Sequence, residues 1–234
     1  MMSIEDLKKQ AAEKAVDQVQ SGMVLGLGTG SSAKYATMKI GELWQAGQLT
    51  DIVGIPTSES TVTLAIKYGL PLATLDAYPV VDLAIDGADE IDPNLNLIKG
   101  LGGALLREKM IESVTRKFIV VADGSKVVQK LGTRAPVPVE VVQFCWKSTA
   151  RWLESLGCTP VLRDGEVQPY LTDNGNYILD CHFPHGIDRP AELAATLKNR
   201  PGVVEHGLFL GMAAEAIVAT ADGITVMSRK NKSA

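Results

Sequence analysis

The stretch Met23-Val24-Leu25-Gly26-Leu27-Gly28-Thr29-Gly30-Ser31-Ser32 decides how the chain is read. Met23 to Leu27 is a short apolar run of strand length, and the residues from about Ser32 to Trp44 carry a helical apolar pattern. Between them, glycines let the backbone turn with positive φ and come close to a ligand, while the start of a helix offers free N–H groups. Strand, glycine turn and helix in that order form the opening unit of an α/β fold.

Working outward, Ser3 to Gln20 reads as a helix, capped by Ser3 with Asp6 three residues on and closed by Gly22. On the other side the alternation continues. Ile52 to Ile55 is a strand, Ser58 to Tyr68 a helix, Val80 to Ile85 a strand, Gly103 to Thr115 a helix and Phe118 to Ala122 a strand. Apolar strands separated by helices predict an open, mostly parallel, Rossmann-like sheet covered on both faces, here over residues 1–132.

From Pro136 the rhythm changes to strand (Val137 to Val142), helix (Phe144 to Leu156), strand (Thr159 to Leu162), strand (Tyr177 to Phe183), helix (Pro190 to Leu197) and strand (Gly202 to Leu208). That βαββαβ order predicts a second, smaller, ferredoxin-like α+β domain over residues 133–208, with Asp173-Asn174-Gly175-Asn176 supplying turn chemistry before its third strand. In residues 209–234, Glu215 to Thr220 and Gly223 to Met227 flank Ala221-Asp222-Gly223 as a hairpin, expected to rejoin the first domain. The basic tail Arg229-Lys230-Asn231-Lys232 reads as a frayed, solvated end.

The 234 residues are 46% hydrophobic and 21% charged, the balance of a globular protein with a sizeable core. A formal net charge of -4 gives no long-range attraction for polyanions, which sets nucleic acid aside as a partner. No apolar run is long enough to span a membrane, and the first residues lack a basic and apolar leader pattern, so a cytoplasmic location is expected. Cys145, Cys158 and Cys181 are odd in number and lack CxxC spacing, which predicts buried or half-buried thiols. His182, His185 and His206 all lie in the second half; Cys181-His182 with His185 has too few spaced ligands for zinc. Neither a metal nor a cofactor is expected.

Four polar clusters stand out. Thr29, Gly30, Ser31 and Ser32 suit a phosphate. A dinucleotide site would want a third glycine where Ser31 stands and an acid ending the second strand, where Ile55-Pro56-Thr57-Ser58 is found; no Walker loop is present. Asp86-Gly87-Ala88-Asp89-Glu90 places three carboxylates in five residues directly after a buried strand. Lys99-Gly100-Leu101-Gly102-Gly103 can bring backbone donors and an ammonium to a ligand oxygen before a helix begins. On that helix Leu106, Met110 and Val114 form the expected core face, and Glu108 turns away from it, outward or into a cleft. Asp123-Gly124-Ser125-Lys126 again follows a buried strand. All four lie beyond strand C-termini or at helix starts, the edge where an open parallel sheet binds ligands.

Together with Arg134 to Glu140 and Gly202 to Phe209, these segments resemble ribose-5-phosphate isomerase of the A type, over nearly the whole chain. The resemblance implies a small sugar phosphate as substrate, a homodimer, no cofactor and no metal. Thr29, Gly30, Ser31 and Ser32 would bind the substrate, with Lys126 at the phosphate and Lys8 as a further candidate there. Asp86, Gly87, Ala88, Asp89, Lys99, Gly100, Leu101 and Gly102 would line the sugar, and Glu108 would be the catalytic proton acceptor, assisted by Asp86 and Lys99. Ser32 departs from the family's usual threonine but keeps the hydroxyl and the N–H. A nicotinamide-dependent dehydrogenase is the nearest rival, disfavoured by the missing ribose-binding acid; a non-catalytic sugar-phosphate sensor would need no Glu108, Lys99 or Asp86.

Overall fold

The computed structural model describes residues 2–229, so the basic tail beyond Arg229 lies outside the described residues. The chain packs as two units. The first comprises Met1–Ala88, Arg107–Lys126 and Gly211–Ala234, and the second Asp89–Leu106 and Val127–Leu210.

The first unit is built on six strands: β1 (Val24–Leu27), β2 (Val53–Pro56), β3 (Val81–Asp86), β6 (Thr115–Asp123), β12 (Glu215–Thr220) and β13 (Gly223–Ser228). They lie in the order β13-β12-β6-β3-β1-β2, parallel except for the edge strand β13. The C-terminal hairpin thus extends this sheet, β12 pairing with β6 from Glu215↔Ile119 to Ala219↔Asp123. α1 (Ile4–Val16) carries the reciprocal Ser3/Asp6 capping box. Its fully buried face, Ala11, Ala12 and Ala15, is made of small residues that let the helix lie close on the sheet. The helix stops at Val16, short of the expected Gln20, because tight turns from Gln18 to Ala15 and Val19 to Val16 carry Val19 into the core. α2 (Ala33–Gln45) and α3 (Glu59–Lys67) add Ala36, Ile40 and Ala65 to the same core.

The second unit holds β7 (Val137–Val141), α5 (Trp146–Glu154), β8 (Thr159–Leu162), β9 (Tyr177–His182), α6 (Pro190–Lys198) and β10 (Val203–His206). Its antiparallel sheet has the order β10-β7-β9-β8, with Val137, Val139, Val141, Leu179 and Cys181 turned into one core with Leu153 and Leu197 of the helices. The open, mostly parallel sheet and the smaller antiparallel one expected from the sequence are both present.

The division differs from the expected boundaries at 89–106. Three two-residue strands, β4 (Glu90–Ile91), β5 (Leu97–Ile98) and β11 (Leu208–Phe209), form a small sheet of order β11-β5-β4, and Ile98 joins the second core. Pairs this short have no periodicity for a sequence to display. Cys158 and Cys181 are buried, but Cys145 is exposed, contrary to expectation. It sits at φ +54° just before α5, where the chain leaves the sheet at the surface beside the 84% exposed Phe144.

Candidate active site

In the first unit β1, β2, β3 and β6 run parallel, so Leu27, Pro56, Asp86 and Asp123 end them at one edge. β3 includes Asp86, one residue further than the apolar run suggested, and Asp86 is only 1% exposed. Its Oδ1 accepts the N–H of Thr29 at 3.0 Å and that of Gly87 at 2.6 Å. Gly28 is required here, since a Cβ at that position would collide with the Asp86 carboxyl group. Gly30 turns the chain at φ +103° and its carbonyl accepts from Lys34, so the turn leads straight into α2. Ser31 is exposed and Ser32 buried.

The Thr29 hydroxyl joins a cluster that the sequence did not reveal. It meets Thr57 Oγ1 at 2.6 Å, Ser58 Oγ at 2.8 Å and Thr61 Oγ1 at 3.1 Å. Thr57 and Thr61 are tied in turn to the carbonyls of Leu27 and Gly28, and Ser58 caps α3 through the Thr61 N–H. Thr57-Ser58 stands where a dinucleotide fold would hold an acid; its signal in the sequence was visible only as that absence.

Lys126 closes a single 3₁₀ turn, Gly124–Lys126, whose start is fixed by Asp123 Oδ1 accepting the Ser125 N–H at 2.9 Å. Lys8 pairs with Glu5 at 2.8 Å. Hydrogen bonds from Lys8 and then Tyr35 pull the Glu5 carboxyl down to about 2.

Glu108 lies on α4 (Leu105–Ser113), and its surroundings correct the expected helix face. Met110 is 53% exposed and Val114 37%, whereas Leu105, Glu108, Ile111 and Glu112 are buried, Glu108 at 4%. The helix therefore buries the side that carries the carboxylates. The apolar pattern misled because the buried face carries Glu108 and Glu112, and a face bearing carboxylates reads in sequence as solvated. A groove of about 520 Å³ runs beside α3 and α4, lined by Ile55, Pro56, Val62, Leu72 and Met110, with Arg107 at its edge paired to Glu59 at 2.7 Å. That lining is apolar and its cation is paired, which suits no phosphate.

In the second unit, Lys99 is 2% exposed, its Nζ 5.4 Å from the centre of the Phe209 ring and its N–H bonded to the carbonyl of Gly207 at 2.9 Å. Gly100 and Gly103 turn the following loop at φ +105° and +82°. Asp89 Oδ2 accepts the Leu101 N–H at 3.0 Å, and Gly102 is exposed. Glu90 is fully buried and takes the N–H groups of Gly132, Arg134 and Ala135, a structural anchor for the following loop. Within the units, then, Asp86 is joined to Thr29 and Gly87, and Asp89 to Leu101. The Cys181 thiol is pushed well above its ordinary range by its hydrogen bond with Cys158 and by burial. Among the described residues no three His, Cys, Asp or Glu side chains converge as a metal site, and no helix is long and apolar enough to cross a membrane.

A parallel sheet with a glycine turn, a buried acid at the end of its central strand and no ribose-binding acid defines an α/β enzyme of the Rossmann-like kind, suited to a small phosphorylated substrate. The sequence profile of ribose 5-phosphate isomerase A (phosphoriboisomerase A) matches residues 53–223. The chain belongs to this family of isomerases. Ribose-5-phosphate isomerase A of Synechococcus sp. (strain JA-3-3Ab) is 55% identical over 97% of this chain and 99% of its own length. The probable ribose-5-phosphate isomerase 3, chloroplastic, of Arabidopsis thaliana is 54% identical over 97% and 85%. Among solved structures, a D-ribose-5-phosphate isomerase in complex with phospho-erythronic acid is similar at a TM-score of 0.94 and 43% identity, covering 97% of this chain and all of that one. The ribose 5-phosphate isomerase of Plasmodium falciparum follows at 0.93 and 42%, over 97% and 99%.

Proposed function

We propose that this isomerase interconverts D-ribose 5-phosphate and D-ribulose 5-phosphate through a cis-enediolate, with Glu108 moving the proton between the first two carbons. The observation that carries the reading is the burial of Glu108, 4% exposed on a face it shares with Leu105 and Ile111. A carboxylate is normally solvated, and taking water from it strengthens it as a base.

The course of the reaction follows from the residues. The phosphate is held by the N–H groups of Gly30, Ser31 and Ser32, by the hydroxyls of Thr29, Ser31 and Ser32 and by the Lys126 ammonium. Asp86 exchanges the proton that opens the sugar ring, and Asp89 holds substrate hydroxyls. Glu108 then removes the proton from C2, and the electron pair moves to the carbonyl, leaving negative charge on O1. Lys99 and the N–H groups of the two glycines in the Gly100-Leu101-Gly102 run stabilise that oxygen, help of the oxyanion-hole kind. A proton passes from O2 to O1, and Glu108 returns its proton to C1, giving the ketose. No atom is gained or lost, so the chemistry asks for no redox cofactor. We further propose that the enzyme acts in the cytoplasm and, on the family resemblance, as a homodimer in the non-oxidative pentose phosphate pathway.

Glu108→Gln tests it. Turnover should fall by about 10²- to 10⁴-fold, the usual worth of a positioned acid–base group, and deuterium from solvent should no longer enter the product. Wild-type turnover in this variant would remove Glu108 from the chemistry.

A further inference from the structure

A loop that turns on two glycines holds its N–H groups in one direction more firmly when, beyond the internal bond from the Gly103 N–H to the Gly100 carbonyl at 3.0 Å, something outside the loop fixes its carbonyls. For Lys99–Gly103 that something is Arg163, which directly follows β8. Its guanidinium grips Asp180 on β9 through two bonds, Nε to Oδ2 at 2.9 Å and Nη2 to Oδ1 at 2.6 Å. The remaining nitrogen, Nη1, donates to the carbonyls of both Gly100 and Leu101, each at 3.1 Å. The two side chains are 11% and 15% exposed, so little water competes for these bonds.

Tyr170 completes the arrangement. The guanidinium carbon of Arg163 lies 5.6 Å from the centre of its ring, and its hydroxyl fills the space a side chain at Gly103 would need. Its N–H is bonded to the Arg163 carbonyl at 3.1 Å, so both residues move as one piece with the end of β8. A trans peptide holds its C=O and N–H antiparallel, and no described peptide bond is cis. The guanidinium on the Leu101 carbonyl therefore aims the Gly102 N–H away from itself, and no protein acceptor takes that N–H among the described residues. The peptide before it, held at the Gly100 carbonyl, directs the Leu101 N–H to Asp89.

We infer that Arg163, locked by Asp180 and Tyr170, is a positioning residue of the isomerase: it sets the direction of the Gly102 N–H and of the Asp89 carboxylate toward the substrate. Lysine could not replace it, because one ammonium lacks the planar fork that reaches a carboxylate and two carbonyls together. The inference rests on the reading of Lys99 to Gly102 as substrate-lining.

The test compares steady-state isomerisation of ribose 5-phosphate by the full-length wild type, Arg163→Ala, Arg163→Lys, Asp180→Asn and Lys99→Met. With Arg163→Ala, kcat should fall about 10- to 100-fold, the cost of misplacing a catalytic contact by a fraction of an ångström to 1 Å. KM should change less, the pH profile should keep its acidic limb, and guanidinium below denaturing concentration should restore part of kcat. Arg163→Lys should stay impaired, and Asp180→Asn, nearly isosteric, should lie between it and the wild type. Wild-type kcat in Arg163→Ala overturns the inference, as does a loss that guanidinium does not relieve combined with wild-type kinetics in Asp180→Asn. If Lys99→Met itself keeps wild-type kinetics, the fault lies with the reading of the loop; if Lys99→Met is impaired while the Arg163 and Asp180 variants are not, it lies with the positioning role.

Discussion

The N–H of Thr29 donates to Asp86 Oδ1 at 3.0 Å, so the glycine turn after β1 is tied to the acid that ends the neighbouring strand. One carboxylate oxygen thereby shapes the turn. Asp86→Asn can keep an acceptor oxygen for Thr29 but cannot take or give the ring-opening proton. We expect KM to survive in Asp86→Asn with kcat down about 10²-fold or more, and Asp86→Ala to raise KM as well. Equal KM values in the two variants would separate the turn from Asp86.

Gly28→Ala should damage the same pair from the other side. The added methyl would occupy the place of the Asp86 carboxyl group. Overpacking of this kind costs about 1–3 kcal/mol, read as a lowered Tm, and turnover should fall further than stability alone explains. A variant with normal Tm and kcat would show that the turn can shift freely.

Glu140, on β7, is fully buried, and its Oε1 accepts from Thr172 Oγ1 at 2.9 Å, Asn174 Nδ2 at 3.2 Å and Asn176 Nδ2 at 2.9 Å. All three donors are neutral, and Oε2 has no hydrogen bond among the described residues. Glu140→Gln keeps an acceptor for the loop and should stay within about 1 kcal/mol of the wild type. Glu140→Ala strips the acceptor from the buried donors and should cost about 2–4 kcal/mol in urea unfolding. Equal losses would mean that the charge, not the acceptor, holds the Thr172–Asn176 loop.

Glu215 joins three elements: it bonds Lys117 of β6 at 2.8 Å and Gln18, which follows α1, at 3.1 Å. The Lys117 hydrogen bond, then that of Gln18, lowers its carboxyl from the ordinary 4.5. A depressed folded value means stability that is present above the unfolded value and lost as pH falls through the folded one. The wild type should exceed Glu215→Gln by about 0.5 kcal/mol at neutral pH, given a partly exposed pair, and the gap should close on acidification. A gap independent of pH between neutrality and the acid limb would deny the ionic origin.

How far the sequence could be read depends on which residues carry each feature. β8 begins and ends at Thr159 and Leu162 as expected, and the capping box of Ser3 and Asp6 marks the start of α1, because both signals are local. The small sheet of β4, β5 and β11 left no trace, since Leu97-Ile98 becomes a strand only by pairing with Glu90-Ile91 on one side and Leu208-Phe209 on the other. The buried face of α4 was misassigned, because a face that buries Glu108 and Glu112 looks like a solvated one in sequence.

The sequence by itself determined the alternation of strands and helices, the change of rhythm near Pro136 and the run of polar clusters after buried strands, through periodicities of two and 3.6 residues and the special geometry of glycine. Only the tertiary structure decided that Asp86 holds Thr29, that Thr57, Ser58 and Thr61 gather around the same hydroxyl, and that Arg163 grips the carbonyls of Gly100 and Leu101 from 62 or more positions away. Those relationships are hydrogen bonds between distant segments. Their geometry exists only once sheet pairing has brought the segments together, and no local pattern encodes it.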